Sequence, residues 1–164
     1  CQSAGGHLTA TSTFDLTARG ANIIRAAVVW FGPVDFNTMD DDMAASGQGS
    51  SDTDGPDSPE SGLIGAPVGE TPELARSASP LTFLEALPDD TRLPPILIMH
   101  GAKDPLIAAR QSERLHDAIA THPSNGGIRL EILAEGTHGG GAFNEPATIQ
   151  TVIAFLAGEL GSDT

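Results

Sequence analysis

The stretch PPILIMHGAKDP, residues 94–105, decides the fold. Its centre, ILIM, is a short run of large apolar residues between two prolines and a His-Gly pair. An apolar run of this length between turn residues is typical of a strand that is buried on both faces. We therefore predict a buried strand over residues 94–101, followed by a loop that carries Asp104.

Two further strands are predicted on either side of it, IRAAVVWFG at residues 24–32 and IRLEIL at residues 128–133. The helices are predicted over residues 4–19, 71–87 with a break at Pro80, 107–122 and 147–160. Strands that alternate with helices indicate parallel βαβ units, so the fold class is α/β, a mostly parallel sheet with helices on both faces. Because three strands make a thin sheet for this class, we expect N-terminal strands to be missing from this sequence, ahead of Cys1.

Residues 36–62 differ in composition from the rest of this partial domain, which spans residues 1–164. They are rich in Asp, Ser, Gly and Pro, and we predict a long acidic surface excursion that lacks a core-forming pattern and is mobile in part. Its acidic runs lack the spacing of a calcium-binding loop, so we expect them to be solvated and predict no metal site.

The charge balance limits the partners. The chain has 22 acidic and 8 basic residues and a net charge of −14, which disfavours nucleic acids and anionic membranes. No apolar run approaches the roughly 18 residues that span a bilayer. We therefore expect neither a nucleic acid nor a membrane as a partner.

Three polar residues are predicted to lie just beyond strand ends. Asp104 follows the central strand, His138 follows the last strand, and Ser3 begins the sequence directly before a helix. The carboxyl ends of parallel strands meet at one edge of a sheet. A serine becomes a nucleophile when an imidazole takes its proton and a carboxylate orients that imidazole. The small residues after Ser3 suit a sharp turn, which would point the N–H of Ala4 at a developing oxyanion.

The motifs SAGGHL (residues 3–8), HGAKDP (100–105) and GTHGGG (136–141) together resemble the second half of an α/β-hydrolase. With DSPESGLIGAP (57–67) and ELARSASPLTF (73–83), the chain resembles carboxylesterases of the feruloyl and acetylxylan esterase-like group over nearly its whole length. The resemblance implies that Ser3 is the nucleophile, Asp104 the orienting acid, His138 the general base and the N–H of Ala4 an oxyanion donor.

Two positions depart from that pattern. The serine turn usually reads G-x-S-x-G, and here Cys1 stands in place of the first glycine. The second oxyanion donor of this group comes from an HGGG-like loop upstream of the serine, and no such loop precedes Ser3 in this sequence. The HGGG at residues 138–141 does not supply it, because its histidine is placed as the base.

The resemblance implies a serine carboxylesterase that hydrolyses short-chain, acetyl-type esters through an acyl-enzyme, without a cofactor or a metal. Its substrate would be a small-molecule or carbohydrate-linked ester. Two alternatives remain open: a serine peptidase similar to prolyl oligopeptidase, and a non-catalytic fragment or pseudoenzyme. We expect low activity from this C-terminal part alone, because no strand precedes Ser3 to hold it in place.

Trp30 and Phe31 close a strand near these residues, and either core packing or the lining of a substrate pocket would explain them. His100 ends the central strand and is expected to be structural, and His7 is expected to pack beneath the Ser3 turn. Two further histidines are expected to be solvated helix residues, His116 and His122.

Overall fold

The computed structural model describes residues 1–161 of the chain. Three strands alternate with helices along the sequence, as predicted. The strands are β1 (Ala27–Trp30), β2 (Ile96–Gly101) and β3 (Ile128–Leu133). The helices are α1 (Ala4–Ala18), α2 (Met39–Ser46), α3 (Pro59–Ile64), α4 (Pro72–Ala78), α5 (Pro80–Glu85), α6 (Ala109–Thr121) and α7 (Pro146–Leu160).

The strands form one parallel sheet in the order β1-β2-β3. Ile98 lies at its centre, paired with Val29 of β1 on one side and Leu130 of β3 on the other. Every residue of β2 is buried. The predicted α/β class and the parallel arrangement are therefore confirmed.

The first residues of the chain continue this sheet beyond β1. Gln2 forms a parallel bridge with Trp30, and the N–H of Ser3 donates to the carbonyl oxygen of Trp30 at 2.9 Å. The N–H of Trp30 in turn donates to the carbonyl oxygen of Cys1 at 2.8 Å. Within residues 1–161 no strand element precedes Ser3, as expected, but these hydrogen bonds attach the residues before α1 to the edge of β1.

Helices cover both faces of the sheet, and the alternation of the strands sorts the core accordingly. Val29 and Ile98 face α1, α5 and α6, where Phe14 and Leu115 pack against them. The neighbouring strand residues face the other way. Val28, Trp30, Leu97 and Met99 form a second cluster with Phe143. Two residues of α7, Val152 and Phe155, pack against this cluster.

The segment 36–62 departs from its prediction, because it contains α2 and α3 and contributes buried side chains. Phe36, Met39 and Met43 are each at most 4% exposed. Phe36 lies in a 3₁₀ turn that leads into α2, and Met39 and Met43 lie four residues apart on one face of α2. The acidic composition of the segment hid this spacing. The run of three aspartates lies in the first turn of α2, where the helix dipole favours negative charge.

The C-terminal half agrees with the predicted boundaries, with one correction. The break predicted at Pro80 separates α4 from α5. His122 was expected to be solvated, but it is only 9% exposed. It follows the last residue of α6 with an extended backbone, so its ring turns inward, whereas His116 is about one-third exposed beside Asp117.

None of the helices within residues 1–161 has the length and hydropathy of a membrane span.

Candidate active site

Ser3 occupies a strained turn between the short strand segment at the N-terminus and α1. Its backbone has φ 51° and ψ −125°, a region that residues other than glycine rarely adopt. Such outliers persist where the surrounding structure enforces them, and they concentrate at functional sites. Here the N–H of Ser3 is tied to Trp30, and its carbonyl oxygen accepts from the N–H of His7 at 3.1 Å.

Glycines allow this turn to pack tightly. A Cβ atom on Gly6 would lie 2.7 Å from the carbonyl oxygen of Trp30, and one on Gly32 would lie 2.6 Å from the backbone nitrogen of His7. A Cβ atom on Gly5 would lie 3.1 Å from the Cβ of Cys1. The absence of a side chain at Gly5 therefore explains how a cysteine can occupy the position where this motif usually has a glycine.

His138 bridges the other two predicted residues. Its Nε2 lies 2.9 Å from the Oγ of Ser3, and its Nδ1 lies 2.7 Å from Oδ2 of Asp104. Because a carboxylate only accepts, Nδ1 carries the proton and Nε2 accepts from the serine hydroxyl. The ring packs edge-on against Phe31, with the ring centroids 4.7 Å apart. These contacts fix both the tautomer and the orientation of the imidazole.

The carboxylate of Asp104 is fully buried and saturated with donors. Oδ1 accepts from the N–H groups of Leu106 at 2.8 Å and Ile107 at 3.0 Å, while Oδ2 faces the rings of His138 and His100. Burial alone raises the pKa of Asp104, but hydrogen bonds from His100, His138 and the two N–H groups outweigh it. They hold the pKa well below its ordinary value, so the group is ionised at neutral pH.

His100 supports this carboxylate from beneath. Its Nδ1 lies 2.6 Å from the hydroxyl oxygen of Ser112, and its Nε2 lies 2.9 Å from the carbonyl oxygen of Ile107 and 3.3 Å from Oδ2 of Asp104. Since both neighbours of Nε2 only accept, Nε2 is the protonated nitrogen and Nδ1 accepts from the Ser112 hydroxyl. His100 is completely buried, and its contacts are those of a structural histidine.

The remaining predicted residues divide into two groups. Ala4 is the first residue of α1, directly after Ser3, so its N–H belongs to the helix turn that lacks intrahelical partners. Trp30 and Phe31 instead pack with Phe143 in the core cluster behind His138, and neither lines the cavity beside Ser3. Of the two interpretations offered by the sequence, the structure places them in core packing.

A cavity of about 570 Å³ opens beside Ser3 and His138. Its volume is in the range of small-molecule sites. Its inner surface is apolar and includes Phe36, Met39 and Ile107, all buried. His7 also lines it, and its ring stacks on Phe36 with centroids 5.1 Å apart.

A further part of the cavity lining comes from residues 51–63, which we call the wall segment. This segment belongs to the stretch interpreted as a surface excursion, so its place at the site was missed. The one available signal was its position after the carboxyl end of β1, where parallel sheets collect site residues. The support of His100 by Ser112 was missed as well, because nothing in the sequence pairs residues on β2 and α6.

Within residues 1–161, no group of three or more His, Cys, Asp or Glu side chains is arranged to hold a metal ion. The chemistry available is that of a hydroxyl, an imidazole and a carboxylate, joined in that order by hydrogen bonds beside an apolar cavity.

Solved structures of esterases and peptidases share this fold. The chain superposes on a truncated carbohydrate esterase from gut microbiota (TM-score 0.75, 24% identity) and on a bifunctional GH43-CE protein of Bacteroides eggerthii (0.72, 23%). It also superposes on the acylaminoacyl peptidase of Pyrococcus horikoshii (0.64, 17%). At these identities the likeness shows the fold alone.

These matches cover most of this chain but only part of each relative. They cover 96% of this chain against the first two proteins and 97% against the peptidase. The chain spans 57% of the truncated esterase, 21% of the GH43-CE protein and 23% of the peptidase.

The sequence comparisons identify the family. A search of curated protein sequences finds no match. The model of the BD-FAE family, which comprises feruloyl and acetyl esterases of the α/β-hydrolase class, matches residues 1–119. This match covers well over half of the chain and includes Ser3 and Asp104. With this match and the shared fold, the chain belongs to the BD-FAE family of α/β-hydrolases.

Proposed function

We propose that this chain carries the catalytic triad of a serine carboxylesterase that hydrolyses short-chain, acetyl-type esters. The observation that carries the proposal is the continuous pair of hydrogen bonds from Ser3 through His138 to Asp104. Membership of an esterase family supports the reaction class. The apolar side chains of the cavity beside the serine suit the methyl group of an acetyl ester.

The first half of the proposed reaction forms an acyl-enzyme. The Oγ of Ser3 attacks the ester carbonyl carbon while its proton moves to Nε2 of His138. The imidazolium that forms is stabilised by Asp104, which keeps its charge because its pKa is lowered. The carbonyl oxygen becomes an oxyanion, and the N–H of Ala4 donates to it from the first turn of α1. The bond from the acyl carbon to the alcohol oxygen then breaks, and Nε2 gives its proton to that oxygen as the alcohol leaves.

The second half of the reaction releases the acid. Water enters beside the acyl group, loses a proton to Nε2 of His138 and attacks the acyl carbon. The proton returns to the Oγ of Ser3 as the ester bond breaks. The same imidazole therefore acts once as a base and once as an acid in each half, which requires the tautomer that Asp104 imposes.

The proposal is tested by Ser3-dependent acylation. The chain is mixed with excess p-nitrophenyl acetate, and the p-nitrophenol burst is measured along with the mass of the protein. We expect one acetyl group on Ser3, and a loss of about 10³-fold or more in the rate for Ser3→Ala. Ser77→Ala is a matched control, because it removes an exposed serine hydroxyl on α4 that lies outside the cavity.

Two outcomes would favour the alternatives. A chain that is folded, yet is neither acylated nor labelled at Ser3 by a neutral organophosphate, would support the non-catalytic interpretation. Faster cleavage of a peptide p-nitroanilide than of the corresponding ester would support the peptidase. Each cleavage rate is divided by the rate at which hydroxide cleaves the same bond, which corrects for the different intrinsic reactivity of amides and esters.

A further inference from the structure

The wall segment gives the cavity one sign of charge. Asp52, Asp57 and Glu60 all line the same cavity as Ser3 and His138. Asp52 and Asp57 are exposed at the mouth, while Glu60 is half-buried in the first turn of α3. The site thus combines apolar side chains with three carboxyl groups in the lining of one cavity.

No opposite charge compensates these groups inside the cavity. Neither lysine nor arginine lines it within residues 1–161. Burial lowers the pKa of His7, against the effect of the hydrogen bond to the Pro33 carbonyl, so this ring is neutral at neutral pH. Burial raises the pKa of Glu60, and the charge of Asp40 raises it further, as expected in a negative potential.

The acidic side of the cavity has a defined conformation. The carboxylate of Asp40 on α2 accepts from the hydroxyl of Ser51 at 2.5 Å and from the N–H groups of Thr53 at 2.9 Å and Asp54 at 3.2 Å. Ser58 caps α3 and donates its hydroxyl to the carbonyl oxygen of Thr53 at 2.7 Å. These contacts attach the wall segment to a helix whose methionines are buried in the core.

We infer that Asp52, Asp57 and Glu60 make the site charge-selective: it rejects esters with an anionic acyl or alcohol group and favours cationic ones. The inference rests on the proposed function, since it concerns the same cavity. A charged group of a substrate bound in this cavity shares it with these carboxylates, and the part of the chain that the structure describes places no lysine or arginine there. A substrate cation would gain from the same field.

The size of the effect follows from Coulomb's law. Two unit charges roughly 7 Å apart in a water-like dielectric change a rate about two- to threefold. Three carboxylates acting together give about tenfold discrimination between a charged and an uncharged ester. Because the charges are largely exposed, salt at about 1 M, where the screening length is about 3 Å, should remove most of it.

The experiment compares p-nitrophenyl esters that differ in charge and not in shape. One pair is the glutarate monoester and the glutaramate ester, and the other is the trimethylammonio-butyrate ester and its tert-butyl carbon isostere. For each ester, the rate of the Ser3-dependent burst is measured at about pH 8, in low salt and in about 1 M salt. Each burst rate is divided by the rate at which hydroxide hydrolyses the same ester, which corrects for the intrinsic reactivity of the ester. We expect the anionic ester to react about tenfold more slowly than its amide partner, and the cationic ester faster than its isostere.

Variants assign the effect to the wall segment. Asp57→Asn combined with Glu60→Gln should reduce the discrimination within each pair of esters about fivefold. Asp90→Asn removes an exposed carboxylate in the loop before β2, at the opposite end of the sheet, and should leave the discrimination unchanged. Equal rates within each pair, or an unchanged ratio in the double variant, would overturn the inference while leaving the esterase intact. Failure to acylate Ser3 with any ester would instead overturn the proposed function together with this inference.

Discussion

Asp104→Asn tests the candidate site most directly. The buried carboxylate faces donors only: the N–H groups of Leu106 and Ile107 on one oxygen, and the rings of His100 and His138 on the other. The substitution keeps the size of the side chain and replaces one oxygen with an NH₂ group. Since every neighbour donates, one side of the amide must then oppose a donor with a donor.

The expected effect on activity follows from the tautomer of His138. The two backbone N–H groups cannot reverse their polarity, so the amide oxygen should keep them and the NH₂ should face the imidazole. Nδ1 of His138 would then accept, which places the ring proton on Nε2, where it cannot take the proton of Ser3. We expect Ser3-dependent acylation to fall about 10⁴-fold, equivalent to about 5 kcal/mol.

The expected effect on stability has a defined pH dependence. The pKa of Asp104 lies well below its ordinary value of 3.8, because its hydrogen bonds outweigh the effect of burial. As the pH falls, the unfolded chain therefore binds this proton first. The stabilisation is complete above about pH 4 and is lost below it, by up to about 1.4 kcal/mol for each pH unit.

Urea denaturation monitored at several pH values measures this difference. We expect Asp104→Asn to be less stable than the unsubstituted chain by about 2 kcal/mol at neutral pH, with the gap narrowing as the pH falls below about 4. Asp90→Asn serves as the exposed control, with little change at any pH. Acylation within tenfold of the unsubstituted chain, or a stability gap that does not change with pH, would refute the assignment of donors around this carboxylate.

Two further predictions concern the elements that hold the site. Gly6→Ala should destabilise the fold by about 2 kcal/mol or more, because the added Cβ would lie 2.7 Å from a backbone oxygen. A Cβ at Gly62 would meet open space, so Gly62→Ala should be neutral or stabilising. Thermal melting of the two variants measures the difference. Asp42→Ala should cost about 2–3 kcal/mol in urea denaturation, because it leaves the guanidinium of Arg114, about one-third exposed, without its two short hydrogen bonds. Glu113→Ala breaks an exposed ion pair and should cost less than about 1 kcal/mol, so equal losses in the two variants would contradict the buried role of Asp42.

The order of the strands and helices could be predicted because their signals are local. The apolar run of β2, the alternation of β3 and the amphipathic spacing of α6 each lie within a few residues of sequence. The helix break at Pro80 is equally local, since proline lacks the N–H and restricts the residue before it. Composition was a poorer guide. It obscured Phe36, Met39 and Met43, whose three- and four-residue spacing puts them in the core despite acidic neighbours.

The meeting of Ser3, Asp104 and His138 could be predicted from residue type and chain order, because residues that follow the carboxyl ends of parallel strands converge on one edge of the sheet. The sequence by itself therefore determined the α/β class and which three residues would meet. Only the tertiary structure decided how they meet. The distances of 2.7 and 2.9 Å around His138 depend on packing between β1, β2 and distant loops, which no local pattern encodes.

The same limit applies to the walls of the site. Trp30 and Phe31 lie close to the triad in space, yet the pleat and a left-handed backbone at Phe31 direct their rings into the core. The wall segment is far from Ser3 along the chain, and the contacts of Asp40 and Ser58 bring it across the cavity. The sequence specifies the chemical type of each side chain directly. Which of those side chains share a cavity depends on long-range packing, because burial is decided by the folded chain as a whole.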